Sequence, residues 1–231
     1  MKSLFAAIFS LFMFLPCFSQ EERNISFNLR LGAAFGGSKP SMYRDSEEAN
    51  LLISLMAGVG VSLFINNDWE INTGVNYLRK GTNTLLNAAP ELTTNYSSIF
   101  STQKEDRLIY GWFNNGYLEI PLTFGYMWGY DSFITRVGGY FAVRTNTKAD
   151  LIIGNQVISR SDNVPLFDSE IYGANLSKYD AGLKVVNEFF MKNFGFGLEF
   201  STGFIPVAKK NWQTKSRTYN MAVAIFASFR F

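Results

Sequence analysis

The chain has 231 residues, of which 47% are hydrophobic, 16% aromatic and only 17% charged. The formal net charge of +2 is too small for a nucleic-acid footprint, and no nucleic-acid partner is expected. His is absent and Cys17 is the single Cys, which excludes an internal disulfide and every His-based catalytic arrangement.

The first segment, residues 1–19, reads as a cleaved signal peptide. Lys2 precedes an apolar run, Pro16 breaks it, and the small residues Cys17 and Ser19 suit cleavage before Gln20. Two other readings stay open. The run is short for a membrane anchor, and a lipoprotein anchored through Cys17 would place Pro16 where a small residue is expected. The remaining chain, residues 20–231, reads as one exported domain, and no second run of about 20 apolar residues follows.

From there the pattern has period two. In 25–35 one face is Ile25, Phe27, Leu29, Leu31, Ala33 and Phe35, and the other holds Ser26, Asn28, Arg30 and Gly32. In 51–65 every odd position is apolar, against Ser54, Gly58, Gly60 and Ser62. Segment 69–80 sets Trp69, Ile71, Val75 and Tyr77 against Glu70, Asn72, Gly74 and Asn76. Segment 117–128 sets Leu118, Ile120, Leu122, Phe124, Tyr126 and Trp128 against Tyr117, Glu119, Thr123 and Gly125. The same alternation recurs in 133–144, with Arg136, Tyr140 and Arg144 on the polar face, and in 179–190, with Asp180, Lys184 and Glu188. It returns in 194–204, with Glu199 among glycines, and in 221–231, which carries Arg230 and ends on Phe231. Strict alternation over such lengths predicts strands, and about ten residues is what a tilted strand needs to cross a bilayer.

The connections alternate in length. Short turns fall at 66–68, 129–132 and 191–193, and long segments at 36–50, 81–116, 146–178 and 206–218. Short turns at one end and long loops at the other describe a transmembrane barrel, with the short ones periplasmic. An even strand count puts both termini at that end. The fold expected is therefore all-β, an eight-stranded antiparallel transmembrane β-barrel. It becomes ten strands if residues 151–160 form an extra hairpin, turned at Gly154 and Asn155. A soluble sandwich is the competing fold. It would place Arg30, Glu70, Glu119, Arg136, Arg144, Asp180, Lys184, Glu188, Glu199 and Arg230 in water, whereas a barrel turns them into its lumen and its apolar face into lipid. Trp69, Tyr126, Trp128, Tyr179 and Tyr219 at outward strand ends suit an aromatic girdle.

The segments 70–81, 116–126 (with Pro121 inside a strand), 194–204 and 219–231 resemble the PorT-like outer-membrane β-barrel family of Bacteroidota, within the small OmpA/OmpX-type barrels. The resemblance implies a Gram-negative cell outer membrane. It also implies that the terminal aromatic, Phe231, is the signal read by the barrel-assembly machinery during insertion. Outer-membrane barrels that are enzymes rely on an active-site His, so no catalytic residue is expected here. A carboxylate-only site among the lumen acids is the weaker reading. No cofactor is expected, and no metal, because only oxygen ligands remain and none has a recognised spacing.

An eight-stranded barrel has an interior that side chains can fill, and the lumen set above is balanced in sign. The expected function is a non-enzymatic outer-membrane protein with a plugged lumen, presenting its long loops for binding or envelope integrity. A narrow channel, opened by a partner, is the alternative. Partners expected are outer-membrane lipid and lipopolysaccharide, the latter through Lys209, Lys210, Lys215 and Arg217 of the fourth loop, and an envelope protein through the long loops.

Overall fold

A computed structural model describes residues 25–38, 52–87, 108–129, 132–153, 156–165, 170–171, 174–208 and 218–231. The expected signal peptide and its cleavage site lie outside these residues, as do Lys209, Lys210, Lys215 and Arg217.

Every named element is a strand: β1 (Ile25–Ser38), β2 (Leu52–Phe64), β3 (Trp69–Asn87), β4 (Leu108–Trp128), β5 (Phe133–Ile153), β6 (Gln156–Pro165), β7 (Glu170–Ile171), β8 (Ala174–Asn175), β9 (Tyr179–Met191), β10 (Phe194–Pro206) and β11 (Tyr219–Arg230). Eight of them close a ring. Each pairs antiparallel with the next in the order β1, β2, β3, β4, β5, β9, β10 and β11, and β11 pairs back to β1 from Asn28↔Arg230 to Ser38↔Asn220. At the seam the Phe231 amide donates to the Phe27 carbonyl at 2.9 Å. Around the closed ring each strand has a partner on both sides, which lipid requires because it offers no hydrogen bonds to unpaired backbone.

The hairpin within 151–160 does form, with Ile153 opposite Gln156 and Leu151 opposite Ser159. It does not raise the strand count to ten. β6 pairs with the upper part of β5, above the stretch where β5 pairs with β9 from Phe133↔Phe189 to Val143↔Tyr179. The ring stays at eight strands, and β6 continues one side of it outward.

Several strands outrun the sequence pattern. β3 continues through Asn87 and β4 begins at Leu108, so part of the expected 81–116 loop is a hairpin arm; β5 likewise runs to Ile153. Alternating apolar residues report contact with lipid. Once the sheet rises beyond hydrocarbon, nothing selects for an apolar face and the pattern stops while the ladder goes on.

The two faces separate as the alternation demands. Ile53 is 68% exposed on the outer wall, and Glu119 is 0% exposed inside. Thr73 is an outward hydroxyl in the lipid band, and it donates to the Pro121 carbonyl at 2.8 Å. Proline brings no N–H, and the β3–β4 pairing is interrupted beside it, between Thr73↔Leu122 and Asn76↔Glu119. The hydroxyl therefore finds its partner where the ladder is interrupted. Inside, glycines make room for large side chains: a Cβ on Gly197 would lie 2.3 Å from the Phe226 ring. At the short-turn end Trp69 and Tyr126 rings lie 4.9 Å apart, and Tyr126 and Trp128 rings 4.8 Å apart. At the other end Tyr179 stacks on Phe141 at 5.7 Å.

Candidate functional site

The inward frame of each strand carries the polar side chains, and the strand stagger groups them into two buried clusters. Near the short turns, Arg136 on β5 donates to Glu70 on β3 and to Glu188 on β9. Arg30 on β1 stands 3.8 Å from Glu188, and Arg230 on β11 stands 3.6 Å from Glu70. The Ser228 hydroxyl also donates to Glu188. Arg30 donates to Asn72 at 3.4 Å, and Asn72 donates to the Ser62 hydroxyl at 2.9 Å. Two of the guanidinium groups also lie against rings, Arg30 at 5.2 Å from Phe226 and Arg230 at 4.0 Å from Phe190.

Higher in the lumen, Lys184 on β9 donates to Glu119 on β4 and, at 2.5 Å, to Glu199 on β10. Lys80 on β3 reaches Glu119 at 3.2 Å and Asp180 on β9 at 3.3 Å. Asp180 also accepts from the Tyr140 hydroxyl and from the Asn220 amide, both at 2.9 Å. Asn220 donates in turn to the Tyr117 hydroxyl at 3.2 Å. The Lys80 ammonium stands 4.1 Å from the Tyr140 ring centroid. This cluster joins β3, β4, β5, β9, β10 and β11 across the interior.

All ten charged residues read from the sequence face the lumen. Arg144 donates at 2.6 Å to Thr147, whose hydroxyl donates to Asn115. The sequence reading missed Lys80, which is 0% exposed. It lies in the even frame of β3 with Glu70, Asn72 and Asn76, so the signal is there; it is hidden because Lys80 stands at the expected end of the strand. Asn220 escapes notice in the same way, one step before the final apolar alternation begins.

Each lumen carboxylate has at least one cation within 4 Å. That arrangement fills space and fixes strands. General acid–base work would call for a carboxylate with an open approach, and these are sealed: Glu70, Glu119, Asp180, Glu188 and Glu199 are all at most 1% exposed.

A closed antiparallel ring with an apolar outside and a charged inside is a membrane-spanning β-barrel. Residues 18–209 match the model of the outer membrane protein beta-barrel domain, and the chain belongs to that family, which places it in the outer membrane. No curated protein matches it. Solved structures similar to it include the attachment invasion locus protein Ail of Yersinia pestis, at 12% identity and a TM-score of 0.44, covering 89% of this chain and 98% of that one. A major outer membrane protein from Thermus thermophilus is similar at 11% identity and a TM-score of 0.44, covering 90% and 99%. Neisserial surface protein A is similar at 9% identity and a TM-score of 0.38, covering 89% and 97%.

Proposed function

We propose that the protein is a non-enzymatic outer-membrane barrel with a plugged lumen, which presents its long extracellular connections for binding or for envelope integrity. The observation that carries this reading is the upper cluster. Lys80 and Lys184 bridge Glu119, Asp180 and Glu199 across the interior, and all five side chains are at most 2% exposed. Breaking one partner of such a buried network costs about 3–5 kcal/mol, so thermal motion rarely opens it. The absence of His in the whole chain supports the non-enzymatic part. Pro121 within β4 supports placement in the PorT-like branch. Planar-bilayer conductance of the purified protein tests the plug. Wild type is expected to show no stable channel, and a large, persistent conductance overturns the reading in favour of a narrow transport pore.

A further inference from the structure

We infer that the outer wall of β3, β4 and β5 holds a phosphate site for a glycolipid of the outer leaflet, centred on Arg79. Arg79 faces outward on β3, two residues above Tyr77 and four above Val75, the last exposed apolar residue of that strand's lipid band. That is the headgroup level, on the side of the long connections. The guanidinium is held in place. Its Nε donates to the Tyr77 hydroxyl at 3.3 Å and an Nη donates to Asn146 Oδ1 at 3.4 Å. Both partners are neutral, and three of its five N–H donors are left over. Among the described residues no carboxylate pairs with it. The acid on the same face of β5, Asp150, is already engaged by Arg160 at 3.0 Å. A second cation, Lys148, is exposed on that face of β5.

The surroundings are shaped as a shelf. Gly116 lies opposite Arg79 on β4. A Cβ there would stand 2.3 Å from Asn146 Oδ1, 2.9 Å from the Tyr77 hydroxyl and 3.0 Å from Thr145 Oγ1. A bulge between Gly116 and Tyr117, with Thr145 as the extra residue on β5, turns these polar groups together. The Thr145 hydroxyl is buried and has no hydrogen-bond partner among the described residues. A fixed guanidinium, a second cation and hydroxyl groups beside the acyl-chain band match a phosphorylated sugar headgroup whose tails lie on Val75, Leu118 and Phe141. This inference deepens the expected lipopolysaccharide contact, and it rests on the membrane placement of the wall, not on whether the lumen conducts.

The test titrates the mature protein in zwitterionic detergent with lipid A, with dephosphorylated lipid A and with phosphatidylethanolamine, reading bound lipid by native mass spectrometry. Wild type is expected to bind lipid A saturably, and the other two at least tenfold more weakly. Arg79→Gln is expected to weaken lipid A binding about tenfold, and Lys192→Gln, at the opposite end, to leave it unchanged. Should Arg79→Gln not fold, Tyr77→Phe and Lys148→Gln serve, each expected to weaken binding several-fold. Wild-type affinity in the Arg79 variant, or in both substitutes, overturns the site; so does equal binding of the dephosphorylated lipid. Conductance measured on the same samples tells failure of this site from failure of the plug.

Discussion

Glu119 holds two lysines at once, and neutralising it gives the sharpest test of the lumen network. Its carboxylate accepts from Lys184 and lies 3.2 Å from Lys80, with all three side chains fully buried. At that spacing and an effective dielectric of about 20, one pair carries about 5 kcal/mol of Coulomb energy. Glu119→Gln removes the attraction, but it also removes the cost of burying the charge. Lys80 keeps Asp180 and Lys184 keeps Glu199. The expected net loss is therefore about 3 kcal/mol, the low end for a broken buried pair. Urea unfolding of the barrel in lipid vesicles, followed by tryptophan fluorescence and by heat-modifiable migration on a gel, reads it. Lys80→Met alone strands the Asp180 carboxylate and should cost at least as much, and the double variant should depart from the sum of the two single losses by about 1–2 kcal/mol, the coupling that neighbours show. A single-variant loss below about 1 kcal/mol, or strictly additive effects, refutes the network as a structural element.

Three further outcomes follow from the same geometry. Leu122→Lys places a charge on the outer face of β4, where Leu122 is 60% exposed; a cost of about 2–4 kcal/mol is expected if that face meets hydrocarbon near the midplane. Wild-type stability of this variant in vesicles would contradict the membrane-facing assignment. Gly197→Val drives a branched side chain toward the Phe226 ring, 2.3 Å from the position of its Cβ, and should cost about 1–3 kcal/mol by overpacking. Gly139→Ala is the matched control: its nearest neighbour would be the Gly182 carbonyl at 3.4 Å, and the same unfolding assay should show a change within about 0.5 kcal/mol.

The wall of the barrel was legible because lipid imposes a simple rule. A residue either meets hydrocarbon or it does not, and with period two the choice repeats along the whole crossing. Phe124, Leu122, Ile120 and Leu118 on β4 show the rule on one face, and Thr123 and Glu119 on the other. Short turns were equally plain: Asn66 caps its own turn, its side-chain oxygen accepting from the amides of Asp68 and Trp69, each at 2.9 Å. The rule ends with the lipid. In "GTNT", Gly81 to Thr84, both faces read as small or polar, and β3 nevertheless pairs through to Asn87↔Leu108. Sequence alternation measures the membrane, and the strand is longer than the membrane.

The lumen was legible as a list of residues and not as a set of contacts, for a physical reason. Lys80 and Asp180 stand 100 residues apart, and nothing near either names the other. They meet because the ring closes at one stagger, and stagger is fixed by all the ladders together. The network then acts back on that stagger. A one-residue slip of β9 would turn Asp180, Lys184 and Glu188 from the lumen into lipid, and bring Tyr179, Leu183 and Phe189 inside. The slip would place these charges in hydrocarbon, at about 2–4 kcal/mol for Lys184 near the midplane and less for each acid, beside the pairs lost inside. The side chains that fill the interior are thus the ones that make any other register untenable. Pairing across the interior and specifying the register are the work of the same residues, which gives a carboxylate as deep as Glu119 a structural role.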